Sequence, residues 1–397
     1  MQRLSLGLLL LSSVSSTAAR QYRIEENKSY NASNFFDKFE FITTGDPNNG
    51  YVDHQSRSQA EKLGLAKIIQ DQVYLGVEHE TVLDPWWAAR KSLRLESRDK
   101  YNKGLVIIRY THLPKSQCGS WPAVWTLGED QGREWPKGGE IDIYEGWNNQ
   151  VANQHAVHVG LRKDFGECTL DTATNKISSS VITSDCDNMA PDQPGFSGCQ
   201  VRNGAGDIWG NPTGGTHDYI KIYTWRPTSE PLDIDSDAPD TSGWGTPSFW
   251  LSKQNCNLSG VMLPQKLIIN LNLCGSLAYG EFWTNTQCDK ITNYTECKDW
   301  VAKNPHEFAE TYFQIRDIRV FKERDKRHAT SSVPVSTAVS TTVSTTVSTS
   351  VPSTQIKTSG LTLSHVGQAV EYDFECAVQH VYPDDVYEFQ CPFEHVH

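Results

Sequence analysis

The chain has 397 residues and a formal net charge of -12 at pH 7. This excess of acidic residues argues against a nucleic-acid partner, because nucleic acids are bound mainly through Lys and Arg. The length suffices for one large domain or two ordinary ones, and the 12 Trp residues suit either a large core or stacking against a flat ligand.

The first segment has the composition of a secretory signal peptide. One basic residue precedes an apolar run from Leu4 to Leu11, and small residues follow at Thr17 to Ala19. Residues 1–19 are therefore predicted to be a signal peptide, and the protein is predicted to be secreted and extracellular. The apolar run is too short to cross a bilayer, so no membrane span is predicted.

Residues 20–327 have the pattern of a large all-β domain. Short alternating runs recur, such as GLVIIRY (104–110), YIKIYTW (219–225) and KLIINLNL (266–273), whereas long helical patterns are few. Four N-x-[ST] sequons fit a secreted glycoprotein; they begin at Asn27, Asn31, Asn257 and Asn293.

The cysteines are predicted to form disulfides, because a secreted protein folds in an oxidising compartment. Eight lie in the large domain, at positions 118, 168, 186, 199, 256, 274, 288 and 297. Cys186 and Cys199 flank a short loop and are predicted to pair, whereas the remaining pairings stay open. No recurring metal-ligand spacing surrounds these residues, and no metal site is predicted.

The stretch GGEIDIYEG (138–146) places three carboxylates within six residues. Ile141 alternates with Glu140 and Asp142, which predicts a strand with both acids on one face. Strict alternation would bury Glu145 in the apolar layer, where an unpaired charge is costly. A β-bulge at Ile143 or Tyr144 would return Glu145 to the face of the other acids.

Two further segments follow the large domain. Residues 328–360 are nearly all Ser, Thr and Val, and are predicted to be a linker or O-glycosylated stalk. Residues 361–397 contain acidic residues but no Lys or Arg, and Cys376 with Cys391 is a candidate pair. No function is assigned to this acidic segment. Lys326 and Arg327 form a dibasic pair before the linker, where proteolysis could release the large domain.

Several motifs follow one another in order along the large domain: RLES (94–97), CGSWPAVW (118–125), WPKGGEIDIYEG (135–146), HVG (158–160), NLCG (272–275) and FW (282–283). This ordered set resembles glycoside hydrolase family 16, specifically its secreted fungal endo-1,3(4)-β-glucanase (laminarinase-like) group. The resemblance implies a jelly-roll β-sandwich of two antiparallel sheets with a concave substrate cleft. This implication agrees with the many short alternating strands.

The resemblance assigns roles to the three acids. Glu140 matches the family's nucleophile, Glu145 its acid/base and Asp142 its auxiliary carboxylate. A retaining glycosidase needs one protonated carboxyl and one ionised carboxylate, so unlike pKa values are expected for the two glutamates. Asp142 is expected to hydrogen-bond and orient Glu140, and neighbouring negative charge is expected to raise the pKa of Glu145.

Other residues are expected to bind substrate or support the acids. Trp125 and Trp135 resemble the family's cleft tryptophans, whereas Trp121 fits core packing as well as substrate binding. His158 matches a histidine on the neighbouring strand and is expected to hydrogen-bond the carboxylates. The chain departs from the family pattern at Ala156, Val159 and Trp147.

Together these features predict a secreted, monomeric enzyme that hydrolyses internal β-1,3 or mixed β-1,3/1,4 bonds of a β-glucan polysaccharide without a cofactor. One alternative is a transglycosylase, which would use the same glutamates and pass the glucanyl group to another sugar. The other alternative is a noncatalytic glucan-binding protein, which usually lacks the catalytic glutamates.

Overall fold

The alternating runs of the large domain form two antiparallel sheets, as the sequence predicts. The computed structural model describes residues 22–128, 133–204, 213–216, 218–225 and 229–323. The predicted signal peptide, the linker, the acidic segment with Cys376 and Cys391, and the Lys326–Arg327 pair lie outside these residues.

One sheet has nine strands, and the order of its main path is β17-β16-β15-β9-β19-β6-β5, with β1 and β2 also paired to β19. Its strands are β1 (Tyr22–Ile24), β2 (Tyr30–Asn31), β5 (Ala66–Ile69), β6 (Gln72–Gly76), β9 (Gly104–His112), β15 (Thr213–Thr216), β16 (Tyr219–Ile222), β17 (Phe249–Ser252) and β19 (Tyr312–Glu323).

The other sheet has eight strands in the order β13-β14-β12-β11-β10-β18-β8-β3. Its strands are β3 (Phe39–Phe41), β8 (Arg94–Tyr101), β10 (Ser120–Gly128), β11 (Glu140–Glu145), β12 (Gln154–His158), β13 (Ser180–Thr183), β14 (Cys199–Arg202) and β18 (Gln265–Leu273). The carboxylate-rich strand β11 therefore lies in the middle of this sheet, between β10 and β12.

The core lies between the two sheets. Ile141 of β11 and Leu267 of β18 belong to the same buried cluster as Ile108 of β9 and Ile315 of β19. The ring of Tyr144 packs against Phe313 across this layer, with ring centroids 5.7 Å apart. Because these side chains fill the inner face, the polar side chains that alternate with them lie on the outer face of the eight-stranded sheet.

Short elements complete the described part of the chain. Strands β4 (Val52–His54) and β7 (Arg90–Ser92) pair in parallel. The α-helices are α1 (Phe35–Lys38), α2 (Arg57–Lys62), α3 (Arg162–Phe165), α4 (Leu258–Val261), α5 (Glu281–Asn285), α6 (Cys288–Thr292) and α7 (Cys297–Lys303). Three 3-10 helices span Glu26–Lys28, Thr241–Gly243 and Pro305–Phe308. None of these described helices has the length and apolarity that crossing a bilayer requires.

Four disulfides link the eight cysteines of the large domain. Cys186 pairs with Cys199, which confirms the predicted loop bridge. The other three disulfides, which the sequence left open, are Cys118–Cys288, Cys168–Cys256 and Cys274–Cys297. Two of them tie the helical segment 281–303 to the start of β10 and the end of β18, which are neighbours in the eight-stranded sheet. The four sequon asparagines are all exposed.

Candidate active site

Glycines fix where the carboxylate strand begins. The amide of Gly128, at the end of β10, donates to the carbonyl of Gly139, one residue before Glu140. A Cβ atom on Gly138 would lie 1.7 Å from the carbonyl oxygen of Gly128, so a larger residue cannot occupy this position without moving the backbone. Gly139 adopts a φ of 79°, which favours glycine. The Gly138–Gly139 pair therefore sets the position of Glu140 next to β10.

A β-bulge brings the third carboxylate to the outer face. Val124 of β10 pairs with Tyr144 and Trp125 pairs with Asp142, so Ile143 is the extra residue. This confirms the predicted bulge and assigns it to the first of its two candidate positions. The buried side chain of Asn153 holds the bulge, since it donates to the carbonyl of Ile143 at 3.1 Å and accepts from the amide of Glu145 at 2.9 Å.

A histidine on β12 joins two of the acids. The Nε2 atom of His158 lies 3.1 Å from a carboxylate oxygen of Asp142 and 3.8 Å from one of Glu140. Its Nδ1 atom lies 2.7 Å from the side-chain oxygen of Asn188. Burial disfavours the charged ring, but the hydrogen bond to Asp142 and the charges of Glu140 and Asp142 outweigh it and raise the pKa of His158 to about 10. His158 is therefore an imidazolium at neutral pH.

The expected partner of Asp142 is corrected by this geometry. Asp142 was expected to hydrogen-bond Glu140, but its hydrogen bond is to His158. Asp142 acts on Glu140 through its charge, which raises the pKa of that glutamate. The cationic ring explains the arrangement, since it lies within 3.8 Å of both carboxylates and offsets part of their mutual repulsion.

Each glutamate accepts a hydrogen bond from a different tryptophan. The indole Nε1 of Trp135 donates to Glu140 at 2.7 Å, and the indole Nε1 of Trp121 donates to Glu145 at 3.0 Å. Burial, and then the charge of Asp142, raises the pKa of both glutamates to about 8. The predicted direction for Glu145 is confirmed, although burial contributes more than the neighbouring charge.

The two glutamates differ in their distance from the cation. His158 is the largest influence that lowers the pKa of Glu140, whereas for Glu145 the hydrogen bond from Trp121 comes first and His158 second. His158 therefore favours the ionised form of Glu140 more strongly than that of Glu145. The pKa values of both glutamates are nevertheless raised to about 8, so the unlike pKa values expected from the sequence are not found.

The predicted substrate-binding tryptophans occupy different environments. Trp135 is 44% exposed, next to Glu140 on the outer face. Trp125 is only 9% exposed, and its indole donates to the side-chain oxygen of Asn270 at 2.6 Å. Trp121 is buried with Trp147 while its indole contacts Glu145, so it combines core packing with a place in the site. Of the three, Trp135 offers the most surface to a ligand.

Several residues at the site carry no prediction from the sequence. Asn153 supports the bulge, Asn188 contacts His158, and Phe196 stacks against Trp135 with ring centroids 6.1 Å apart. Arg94 lies over the ring of Trp125 and pairs with Glu96 on β8. Alternation within RLES could have placed Arg94 and Glu96 on one face, whereas no local pattern marks the long-range contacts of Asn188 and Phe196.

Glu140, Asp142 and His158 are also the only group in the described residues with the spacing of a possible cation site, their ligand atoms lying within 4.8 Å of one another. A metal ion would have to displace the proton on the Nε2 atom of His158, and the raised pKa of this ring opposes that exchange. The arrangement fits a protonated histidine between two carboxylates better than a metal centre.

Comparisons with known proteins identify the family of the chain. A model of the XgeA-like catalytic GH16 domain matches residues 39–321. A probable endo-1,3(4)-β-glucanase of Neosartorya fischeri is 34% identical over 84% of this chain, and the match spans 52% of that relative's length. The chain thus spans about half the length of this curated relative.

Solved structures extend the similarity to the fold. One is an elongating GH family 16 β-1,3-glucosyltransferase, which is 33% identical with a TM-score of 0.68, over 76% of this chain and 100% of that one. Another is GH16 laminarinase 16A from Phanerochaete chrysosporium with β-glucans in donor and acceptor sites, which is 27% identical at the same TM-score and coverage. The predicted family and jelly-roll fold are confirmed. Residues 39–321 match the XgeA-like catalytic domain, and the chain belongs to glycoside hydrolase family 16.

Proposed function

We propose that the chain is an endo-acting β-glucanase that hydrolyses internal β-1,3 or mixed β-1,3/1,4 glucosidic bonds with retention of configuration. The observation that carries this proposal is the placement of the His158 imidazolium beside Glu140 and Asp142 and farther from Glu145. It supports an ionised nucleophile and a protonated acid within one carboxylate pair. The endo-1,3(4)-β-glucanase relatives support the choice of substrate.

The proposed reaction has two steps. In the first, Glu145 gives its proton to the leaving glycosidic oxygen while the carboxylate of Glu140 attacks the anomeric carbon, which forms a glucosyl ester and releases one part of the chain. In the second, Glu145 removes a proton from water as the water oxygen attacks the same carbon, and Glu140 leaves as a carboxylate. Asp142 and His158 keep Glu140 oriented and favour its ionised form in both steps.

The wider setting of the enzyme belongs to the same proposal. We assign residues 1–19 to a signal peptide, 20–327 to the catalytic domain, 328–360 to a linker and 361–397 to an acidic segment without an assigned role. The proposed enzyme is secreted, extracellular and monomeric, uses no cofactor, and binds its glucan across the outer face of the eight-stranded sheet. Mass measurement of the secreted protein would test cleavage near Lys326–Arg327, which an intact C-terminus on every molecule would contradict.

Digestion of laminarin, lichenan and cellulose by the full chain tests the activity. We expect soluble oligosaccharides of several lengths from laminarin or lichenan early in the reaction, because an endo-acting enzyme cuts inside the chain. Linkage analysis of the products identifies the bond that is cleaved. A chain that releases nothing from laminarin or lichenan would contradict the proposal.

The second candidate is a glucan transglycosylase, which one specific observation favours: the similarity to the elongating β-1,3-glucosyltransferase. The first chemical step would be the same, but a sugar hydroxyl would replace water in the second. A labelled β-1,3-gluco-oligosaccharide added as acceptor separates the two activities. Label recovered in longer products identifies transfer, whereas label that stays in the unchanged acceptor identifies hydrolysis.

A further inference from the structure

The loop closed by the Cys186–Cys199 disulfide contacts the site at two places. Asn188, in this loop, accepts a hydrogen bond from the Nδ1 atom of His158 at 2.7 Å, and the amide of Phe196 donates to the carbonyl oxygen of Asn188 at 2.7 Å. The ring of Phe196 lies nearly parallel to that of Trp135, with an interplanar angle of 18°. The loop is therefore held against the imidazolium and also extends the aromatic surface beside Glu140.

The ring of Phe196 contributes little to the core. It is 63% exposed, and its residue adopts a φ of 65°, a conformation that is costly for a bulky side chain. The loop has other sources of order: the disulfide, and the side chain of Gln193, which donates to the carbonyls of Asp185 and Gly198. An exposed aromatic ring in a strained position is not needed to hold this loop together.

We infer that Phe196 and Trp135 together form a stacking surface for one glucosyl unit of the substrate next to the unit that reacts, and that Phe196 is a binding residue of this enzyme. The inference rests on the proposed β-glucan substrate. A pyranose ring has apolar C–H faces that pack on flat aromatic rings, and the exposed ring of Phe196 adds aromatic surface next to that of Trp135. The indole of Trp135 also donates to Glu140, so this surface begins at the catalytic carboxylate.

The stacking surface is fixed relative to the catalytic charges. Asn188 connects the backbone of Phe196 to His158, which in turn contacts Asp142 and Glu140. These hydrogen bonds and the disulfide order the loop before a sugar binds, and such pre-ordering lowers the entropic cost of binding.

Substitution of Phe196 in the full chain tests the inference. We expect Phe196→Ala to raise the KM for a β-1,3-gluco-hexasaccharide about tenfold, as expected for the loss of one aromatic contact, with a smaller change in kcat. Phe196→Tyr should keep the wild-type KM because it keeps the ring. Met189→Ala is the matched control, since Met189 lies in the same loop and is 55% exposed, and it should leave KM and kcat unchanged.

Calorimetric titration with the same hexasaccharide separates this inference from the proposed function. If the wild-type chain cleaves no glucan but binds the hexasaccharide about tenfold more tightly than Phe196→Ala does, the function is wrong and the subsite stands. An unchanged KM in an active Phe196→Ala chain, or an unchanged Kd if the chain cleaves no glucan, would overturn the subsite. A shift in product lengths would identify the side of the scissile bond on which Phe196 acts.

Discussion

The two ends of β11 carry the same side chain in different surroundings. At the first end, Glu140 lies 3.8 Å from the His158 cation and accepts a hydrogen bond from the half-exposed Trp135. At the other end, beyond the bulge, Glu145 accepts a hydrogen bond from the buried Trp121. Burial raises the pKa of both, and the nearby cation opposes this rise more strongly for Glu140 than for Glu145. The charges near each glutamate, and not the type of side chain, therefore distinguish Glu140 from Glu145.

The largest effect is expected when one of the two glutamates is removed at a time, which tests whether they have different roles. Glu140→Ala and Glu145→Ala should each reduce glucan hydrolysis by about 10³-fold or more, because each removes a group required in the transition state. With an activated aryl β-glucoside oligomer, Glu145→Ala should still form the glucosyl ester, and added azide should give a β-glycosyl azide. Glu140→Ala should give an α-glycosyl azide, because azide then occupies the vacated nucleophile position.

Product stereochemistry is read by nuclear magnetic resonance. The opposite assignment of α and β products would reverse the two roles, and unchanged hydrolysis in either variant would exclude these carboxylates as the catalytic pair.

Removal of the His158 cation should have the next largest effect. His158→Ala should raise the pKa of Glu140, because the charge that favours its ionised form is lost, and a charge at this distance is worth about 1–3 pKa units. The acidic limb of the pH–rate profile should therefore move to higher pH. His112→Ala, on the other sheet, is the control. An unchanged acidic limb would contradict the role assigned to His158.

Replacement of each of the two tryptophans by Phe further tests the difference between the two glutamates. Trp135→Phe removes the N–H that favours ionised Glu140, and Trp121→Phe removes the N–H that favours ionised Glu145. Each change should raise the pKa of its own glutamate. Trp135→Phe should therefore shift the acidic limb of the pH–rate profile to higher pH, and Trp121→Phe should shift the basic limb to higher pH. Shifts of the same limb in both variants would contradict separate roles.

The smallest effect concerns stability. Burial raises the pKa of Glu145 in the folded protein to about 8 from an ordinary value of 4.5. Its protonation therefore stabilises the fold fully below pH 4.5, and this contribution is lost as the pH rises through 8. Glu145→Gln should melt at a higher temperature than the wild type at pH 9, and the difference should shrink at pH 5. The same change at Glu307, which is exposed, is the matched control.

The sequence was informative where local pattern decides structure. Alternation around Ile141 placed Glu140 and Asp142 on one face, and the cost of burying Glu145 required a bulge near Ile143. The sandwich fold follows from the same alternation repeated along the chain. Contacts between distant segments were not predictable in this way. Asn188 is 30 residues from His158 in sequence, and an isolated bridge between Val159 and Asp187 brings the two segments together.

The bulge at Ile143 also has an evolutionary consequence. If the codon for Ile143 were deleted, Tyr144 would follow Asp142 directly, and the strand would read Glu, Ile, Asp, Tyr, Glu in strict alternation. The three acids would keep the outer face and the two apolar side chains the core, although Asn153 would lose its carbonyl partner. A single in-frame deletion thus converts the bulged spacing into the regular one. The two forms are therefore one mutation apart, and a lineage can change from one to the other without inverting the strand.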